Sequence, residues 1–247
     1  QAMGMITPIY ALVCTQLLFG DLYNTRMCNA LHALPLRRET WFATNVLSGF
    51  VFHLIPTGLL TVIVMPILAF YCPGNSFLAA PIFFLGVNLQ FAFFFALAVF
   101  CAFCAGSRLA QGVVYGIANF AALIAGWLVD TLYIPMFHGI EIEIESFFPF
   151  SPISNMMADR FVETEMIRDP SSGYRYSEIL GYRYHRAEGF GYYFLVAAVG
   201  IVLFAAALWL YRHRKLESAG DFIAVKVLEP VFLVIYSMIV GALFQLI

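Results

Sequence analysis

The sequence predicts an all-α fold, a polytopic bundle of transmembrane helices with a long extracytoplasmic segment between the fourth and fifth spans. The first observation is composition, since 62% of the 247 residues are hydrophobic and only 11% are charged. Soluble domains carry about 25% charged residues, so much of this surface is expected to face lipid. The second observation is that the apolar residues form continuous runs of about the 20 residues needed to cross a bilayer. Barrel strands would instead alternate and be about ten residues long.

Six apolar runs qualify, or nearly qualify, as membrane-spanning helices. They cover about residues 3–20, 41–71, 77–106, 113–133 and 191–211, and the last starts near residue 230. The second run is long enough to tilt or kink, and Pro56 and Pro66 inside it predict kinks. Because the sequence starts at Gln1 and ends within an apolar run, we expect it to be a segment of a longer protein.

The basic residues predict the orientation of the spans. Apart from five Arg in the long segment at 136–189, whose length makes charge a poor guide to its side, they lie in three short loops that all fall on one side of the predicted bundle: Arg26, Arg37 and Arg38; Arg108; and Arg212, Arg214, Lys215 and Lys226. Loops rich in Lys and Arg are cytoplasmic. We therefore expect transmembrane helices in residues 1–135 with a cytoplasmic loop at 21–40, and an extracytoplasmic segment at 136–189. Residues 190–247 are expected to hold further transmembrane helices and a basic cytoplasmic loop at 212–229.

The outer segment has a pattern of its own. Residues 141–145 alternate Glu and Ile, which is typical of a half-exposed strand. Ser151 and Pro152 have the residue types of a helix N-cap and first turn, and this helix could continue through Phe161. Tyrosines alternate with polar residues from Tyr174 to Tyr184, which suits either short strands or contacts with the membrane interface.

A few polar side chains occur at membrane depth or near its edge. They are Asn45, His53, Asn88, Gln90, Asn119 and Asp130. Such residues usually face the interior of a bundle, where they could line a path for a substrate. Hydrogen bonding between helices is the favoured interpretation, and Asp130 could simply reach the outer interface.

The motifs of the common enzyme classes were not found in the sequence. It contains no Gly-rich phosphate loop, and neither H-E-x-x-H nor G-x-S-x-G. Cys101-x-x-Cys104 has the spacing of a redox or metal half-site, but without a second pair it favours small residues that pack against a neighbouring helix. We therefore expect no catalytic, cofactor-binding or metal-ligating residues. The net charge of −2 argues against a nucleic-acid partner.

The loop at residues 21–40 carries the most specific pattern. Residues 22–34 can form a short amphipathic helix that Pro35 ends, with Met27, Ala30, Leu31 and Leu34 on one side. Arg37 and Arg38 follow it. Their side chains could reach lipid headgroups, or they could contact a soluble partner. A helix lying under the membrane between two spans is what a motor protein would push against.

Two stretches resemble a known family. The first reads Asn29-Ala30-Leu31-His32-Ala33-Leu34-Pro35-Leu36-Arg37-Arg38-Glu39-Thr40, followed by Phe42 and Asn45-Val46-Leu47-Ser48-Gly49. It is similar to the coupling region of the permeases of type-2 ABC exporters. The second reads Tyr211-Arg212-His213-Arg214-Lys215-Leu216-Glu217-Ser218-Ala219-Gly220-Asp221, with Leu228, Pro230 and Phe232 after it. It resembles the Firmicutes-type bacterial branch of these permeases.

The resemblance implies a permease subunit of an ATP-binding-cassette exporter, in the cell membrane and in bacteria the inner membrane. ATP hydrolysis would occur on a separate ATPase subunit, and a second permease copy or a related permease would complete the transporter. The residues implied in ATPase coupling are Met27, Leu31, Leu34, Pro35, Arg37 and Arg38.

The chain also departs from the family pattern. Its first span matches the family's second by position, and its outer segment is longer than the family's small re-entrant hairpin. Two alternatives stay open. One is a sensor or assembly protein that binds a ligand through residues 141–186, and the other is an intramembrane enzyme with a site among His53, Asn88, Gln90 and Asp130.

Overall fold

A computed structural model describes residues 2–33, 37–71, 79–129, 131, 151, 153, 162–168, 175–182, 191–213 and 237. Its elements are α1 (Ala2–Leu18), a 3-10 turn (Gly20–Tyr23), α2 (Thr25–Ala33), α3 (Arg38–Tyr71), α4 (Ala79–Cys104), α5 (Arg108–Leu128), β1 (Val162–Arg168), β2 (Arg175–Tyr182) and α6 (Tyr192–His213).

Four of the helices are long and apolar enough to cross a membrane. These are α3, α4, α5 and α6, and they overlap the predicted runs at 41–71, 77–106, 113–133 and 191–211. The prediction of a helical membrane protein is therefore confirmed on length and composition. The apolar part of α1, Ile6–Leu18, is shorter than a full crossing. The run predicted from Pro230 and most of the basic loop at 212–229 lie outside the described residues.

The segment predicted to be extracytoplasmic contributes strands. β1 and β2 pair antiparallel, with Val162 opposite Tyr182 and Arg168 opposite Arg175. This two-stranded sheet is an addition to the predicted all-α fold, and β2 lies in the tyrosine-rich stretch for which strands were one of two interpretations. The strand predicted at 141–145 and most of the helix predicted from Ser151 to Phe161 lie outside the described part of the chain.

Helix α4 is the centre of the bundle and contacts α1, α3, α5 and α6. Small residues let its neighbours approach closely, as is usual where helices pack in membranes. At Gly200 of α6, a Cβ atom would stand 3.3 Å from the Cα of Phe93 and 3.4 Å from the carbonyl oxygen of Ala92. The two helix backbones are therefore nearly in contact there.

Aromatic rings fill the space around α4 in two groups. The aromatic column consists of Tyr10, Phe50, His53, Phe91, Phe95 and Phe204, and the end cluster consists of Phe19, Trp41, Phe42, Phe103 and Tyr211. In the column His53 stacks on Phe91 at 3.9 Å and Phe91 on Phe95 at 5.2 Å, each at an interplanar angle of 11°. The interior between α1, α3, α4 and α6 is thus closely packed.

Five helix ends meet at one end of the bundle, which we call the basic end. The Gln16 amide near the end of α1 donates to the carbonyl of Arg108 at the start of α5 at 3.1 Å. The first residue of α3, Arg38, reaches the last turn of α6, and Phe103 near the end of α4 packs on Tyr211. The described parts of the three basic loops therefore lie together.

Candidate functional site

Helix α2 lies at the basic end and begins at a specific cap. The Asn24 side chain accepts a hydrogen bond from the backbone N–H of Arg26 at 3.0 Å, and the Asn24 carbonyl accepts one from the N–H of Cys28 at 2.8 Å. This is the N-cap arrangement that asparagine favours. The helix therefore starts at Thr25 rather than at Leu22, and the 3-10 turn precedes it.

Helix α2 has a buried residue on one side and exposed residues on the other. Cys28 is buried, and so is Leu22 of the 3-10 turn. Arg26, Met27, Asn29 and Ala30 are exposed, and the exposed fraction of Met27 is 51%. Among the other residues predicted for coupling, the side chain of Leu31 and the whole of Leu34 and Pro35 lie outside the described residues. The exposed side of α2 is a surface on which a soluble partner could press.

The 3-10 turn is tied to the bundle through a buried amide. The Tyr23 hydroxyl donates to Oε1 of Gln111 at 2.8 Å, and Nε2 of Gln111 donates to the carbonyl of Ala98 at 3.1 Å. The Gln111 side chain is fully buried. This chain of bonds connects the segment before α2 with both α5 and α4.

Arg38 makes the second connection at the basic end, between the start of α3 and the end of α6. Its Nη1 donates to the carbonyls of Tyr211 at 3.4 Å and Arg212 at 3.3 Å, and its guanidinium lies 5.8 Å from the centroid of the Tyr211 ring. The last four carbonyls of a helix have no partner within it, and a cation is favourable at that end. Arg38 therefore caps α6 and holds it to the start of α3.

Beside Arg38, the side chains of Arg212 and Glu39 form a salt bridge. Their side chains pair at 2.6 Å, with about half of each exposed. Arg37, by contrast, has an exposed side chain, and its carbonyl accepts the N–H of Trp41 at 3.2 Å as α3 begins. The two adjacent arginines predicted to act together thus differ: Arg38 is partly buried and contacts the end of α6, whereas Arg37 is exposed.

We expect Arg38→Gln to lower the free energy of unfolding by about 1–3 kcal/mol, because it removes a charged donor shared by two helix-end carbonyls. Arg37→Gln is the matched control and should change it by less than about 0.5 kcal/mol. Unfolding in mixed micelles with increasing sodium dodecyl sulfate measures both. Equal losses for the two variants would contradict the assignment of the cap to Arg38.

The polar residues predicted at membrane depth do not form one site. Asn88 and Asn119 donate to carbonyls of their own helices, at Phe84 (2.7 Å) and Tyr115 (2.9 Å). Gln90 is buried in α4. Asn45 and His53 lie two helical turns apart on one face of α3, and Asp130 lies outside the described residues. The bonds of Asn88 and Asn119 are intrahelical, rather than the interhelical bonds the sequence favoured.

Three buried polar atoms have no hydrogen-bond partner within the described ranges. They are Nδ2 of Asn45, Nε2 of His53 and Oδ1 of Asn119. The carbonyl of Asn119 does accept a bond, at 3.3 Å from the buried hydroxyl of Ser151. Ser151, predicted as a helix cap, therefore contacts α5.

Two connecting residues, Gln111 and Tyr115, were not among the predicted polar residues. With Asn119, which was predicted, they lie four residues apart on α5, which places the three on one face. The Tyr115 hydroxyl on this face donates to the carbonyl of Pro8 in α1 at 3.0 Å. The spacing is a usable signal, because polar side chains that recur every four residues in an apolar run mark the side of a helix that faces its neighbours.

The two cysteines of the Cys101-x-x-Cys104 motif are both buried at the end of α4, and neither forms a disulfide bond. Within the part of the chain that the structure describes, no group of three His, Cys, Asp or Glu side chains could hold a metal ion.

In comparisons with known proteins, no family model matches the chain, and no curated protein or solved structure matches it either. The geometry of the basic end and the packing of the helices are therefore the observations from which a function can be argued.

Proposed function

We propose that the chain is the membrane-spanning permease subunit of an ATP-binding-cassette exporter, driven by a separate ATPase subunit. The observation that carries this proposal is α2, a short helix at the basic end in which Cys28 is buried while Met27 and Ala30 are exposed. A helix held on one side and free on the other is suited to receive force from a soluble partner.

The contacts around α2 offer two connections along which a displacement could reach the spans. One runs through Tyr23 and Gln111 to α4 and α5. The other runs through the start of α3, where Arg38 and Glu39 contact the end of α6. Coupled movement of packed helices is a common way to convert binding into a change of state.

The charges at the basic end support a cytoplasmic position for α2. Arg26, Arg37, Arg38, Arg108 and Arg212 belong to this end, and basic residues near the ends of spans favour the cytoplasm. An ATPase subunit in the cytoplasm could then reach α2. We place the chain in the cell membrane, in bacteria the inner membrane, with a second permease copy or a related permease beside it.

In this proposal Met27, Leu31, Leu34, Pro35 and Arg37 form the surface for the ATPase, as the resemblance implies. Arg38 has a different part. Because it caps α6, it passes movement within the bundle rather than contacting the partner. Cargo would move between two permeases rather than through one, since aromatic rings fill the interior of this chain.

Site-specific cross-linking tests the proposal. Single cysteines at Ala30→Cys and Arg37→Cys should cross-link to a co-expressed ATPase subunit, with a yield that changes when ATP is added. The four described native cysteines are buried, so their background should be low. Leu17→Cys is the matched control, because this residue is 75% exposed but belongs to α1 rather than to α2 or the start of α3.

The alternatives predict a different result. A sensor that binds a ligand through residues 141–186, or an intramembrane enzyme, needs no nucleotide-dependent contact at α2. If a folded protein gives no cross-link from Ala30→Cys or Arg37→Cys to any ATPase subunit, the permease proposal fails. Ligand binding to residues 141–186 would then be measured.

A further inference from the structure

Helix α3 has two halves that differ in how they are held. In the inner half Phe42, Gly49 and His53 are buried. In the outer half Val62 is 71% exposed and Phe70 is 84% exposed. Among the residues that the structure describes, the bundle therefore holds the inner half on one face, while the outer half has few contacts with it.

The change occurs at Pro56, where the helix loses a backbone bond. Proline has no N–H, so the carbonyl four residues before it, that of Phe52, lacks its usual helical partner. The Tyr10 hydroxyl of α1 donates to this carbonyl at 3.3 Å. A carbonyl left open in a membrane must find such a partner from a neighbouring helix or side chain.

Thr57 and Gly58, which follow Pro56, weaken the helix further. The Thr57 hydroxyl donates back to the carbonyls of His53 at 2.7 Å and Leu54 at 3.3 Å, a pattern that bends helices. At Gly58 a Cβ atom would meet only the ring of Phe84, at 3.8 Å. Glycine also gives the backbone more freedom than any other residue.

The helix is rigid immediately before this point. His53 stacks on Phe91 with ring centroids 3.9 Å apart. One turn earlier, Gly49 fits so closely against Phe95 that a Cβ atom would stand 2.3 Å from its ring. A change in the direction of α3 around Pro56 must therefore be taken up after His53, at residues 54–58.

We infer that Pro56, Thr57 and Gly58 form a hinge about which the outer half of α3 moves relative to the bundle, and that the Tyr10 hydroxyl is the positioning group that holds the hinge in the observed conformation. The bond from Tyr10 is the one contact described here in which another helix supplies a donor for the carbonyl that Pro56 leaves open. Losing it frees that carbonyl without disturbing the buried face of the inner half. The inference rests on helix packing alone and holds whether or not the chain is a permease.

The distance between spin labels on the full-length protein in lipid nanodiscs tests the hinge. For the first pair, a ketone-bearing amino acid replaces Val62 in α3 and Leu195 at the start of α6. The spin labels are attached to the ketones, so they do not react with the native cysteines. A control pair replaces Leu47 and Trp209, which are exposed on the inner half of α3 and near the end of α6. We expect two populations of distances for the first pair and one narrow population for the control pair.

Three substitutions then separate the parts of the inference. Pro56→Ala restores the N–H that bonds to the carbonyl of Phe52. The distances between the first pair of labels should then form one population. Tyr10→Phe keeps the ring and removes only the hydroxyl, so the ratio of the two populations should change about fivefold, as for the loss of one hydrogen bond. Tyr115→Phe is the matched control, since its hydroxyl bonds to Pro8 instead, and it should leave the ratio unchanged.

Specific results would overturn the inference. A single narrow population for the Val62 and Leu195 pair, or two populations that Pro56→Ala does not alter, would show that residues 56–58 are not a hinge. A ratio that responds equally to Tyr10→Phe and Tyr115→Phe would remove the holding role of Tyr10.

Discussion

Phe95→Ala should lower the free energy of unfolding by about 3–5 kcal/mol. Phe95 is fully buried, and its ring contacts those of Phe91 at 5.2 Å, Phe50 at 5.7 Å and Phe204 at 5.9 Å. These neighbours belong to three helices, so a cavity at this place removes packing from α3, α4 and α6 together. Van der Waals packing is a main force that joins helices in lipid. Unfolding in mixed micelles measures the loss.

The control for this prediction lies on the same helix. Phe83 is 39% exposed, so Phe83→Ala removes the same atoms where lipid can fill the space. We expect it to cost less than half as much as Phe95→Ala. If the two substitutions cost the same, the column of rings would not be the part of the structure that holds the helices together.

Gly49→Ala should lower the free energy of unfolding by about 1–3 kcal/mol through overpacking. The new Cβ atom would stand 2.3 Å from Cζ and 2.7 Å from Cε1 of Phe95. The Phe95 ring cannot turn aside easily, since three other rings enclose it. Gly116→Ala is the matched control, because nothing lies within 4 Å of the new atom. It should instead raise stability by about 0.4–1 kcal/mol. Opposite signs are expected in the same unfolding measurement.

Combining Gly49→Ala with Phe95→Leu tests whether the two effects share one contact. Neighbouring residues in contact are not additive, and the smaller leucine leaves room for the new methyl group. We expect the double variant to be more stable than the sum of the single losses predicts. Additive losses would mean that Gly49 is constrained by something other than Phe95.

The sequence predicted the long helices well because continuous apolar runs have few alternatives in a membrane. The largest error in a predicted helix boundary was at the start of α5. The apolar run begins near Val113, but the helix begins at Arg108, since the Ser107 hydroxyl accepts the N–H of Ala110 at 3.2 Å. Hydropathy assigns Arg108 and Gln111 to a loop, although Gln111 is buried in the bundle.

Contacts between distant parts of the chain could not be predicted. Arg37 and Arg38 are adjacent and look equivalent in the sequence. Of the two, Arg38 is the one seen to bond the end of α6, at the carbonyl of Tyr211, which lies 173 residues further along the chain. A kink at Pro56 was predicted, but the donor that compensates for it, Tyr10, lies on another helix. Such partners depend on how the helices are rotated and offset, which apolar runs do not specify.

The short connection between α4 and α5 has a consequence for biosynthesis. Only residues 105–107 separate Cys104 from Arg108, so we expect the two helices to enter the membrane as a hairpin. The polar face of α5 would be costly in lipid by itself, and the Gln111 amide is already paired with the carbonyl of Ala98 in α4. We therefore expect α5 to be inserted efficiently only when α4 precedes it, and to be released to the aqueous side more often when expressed without it.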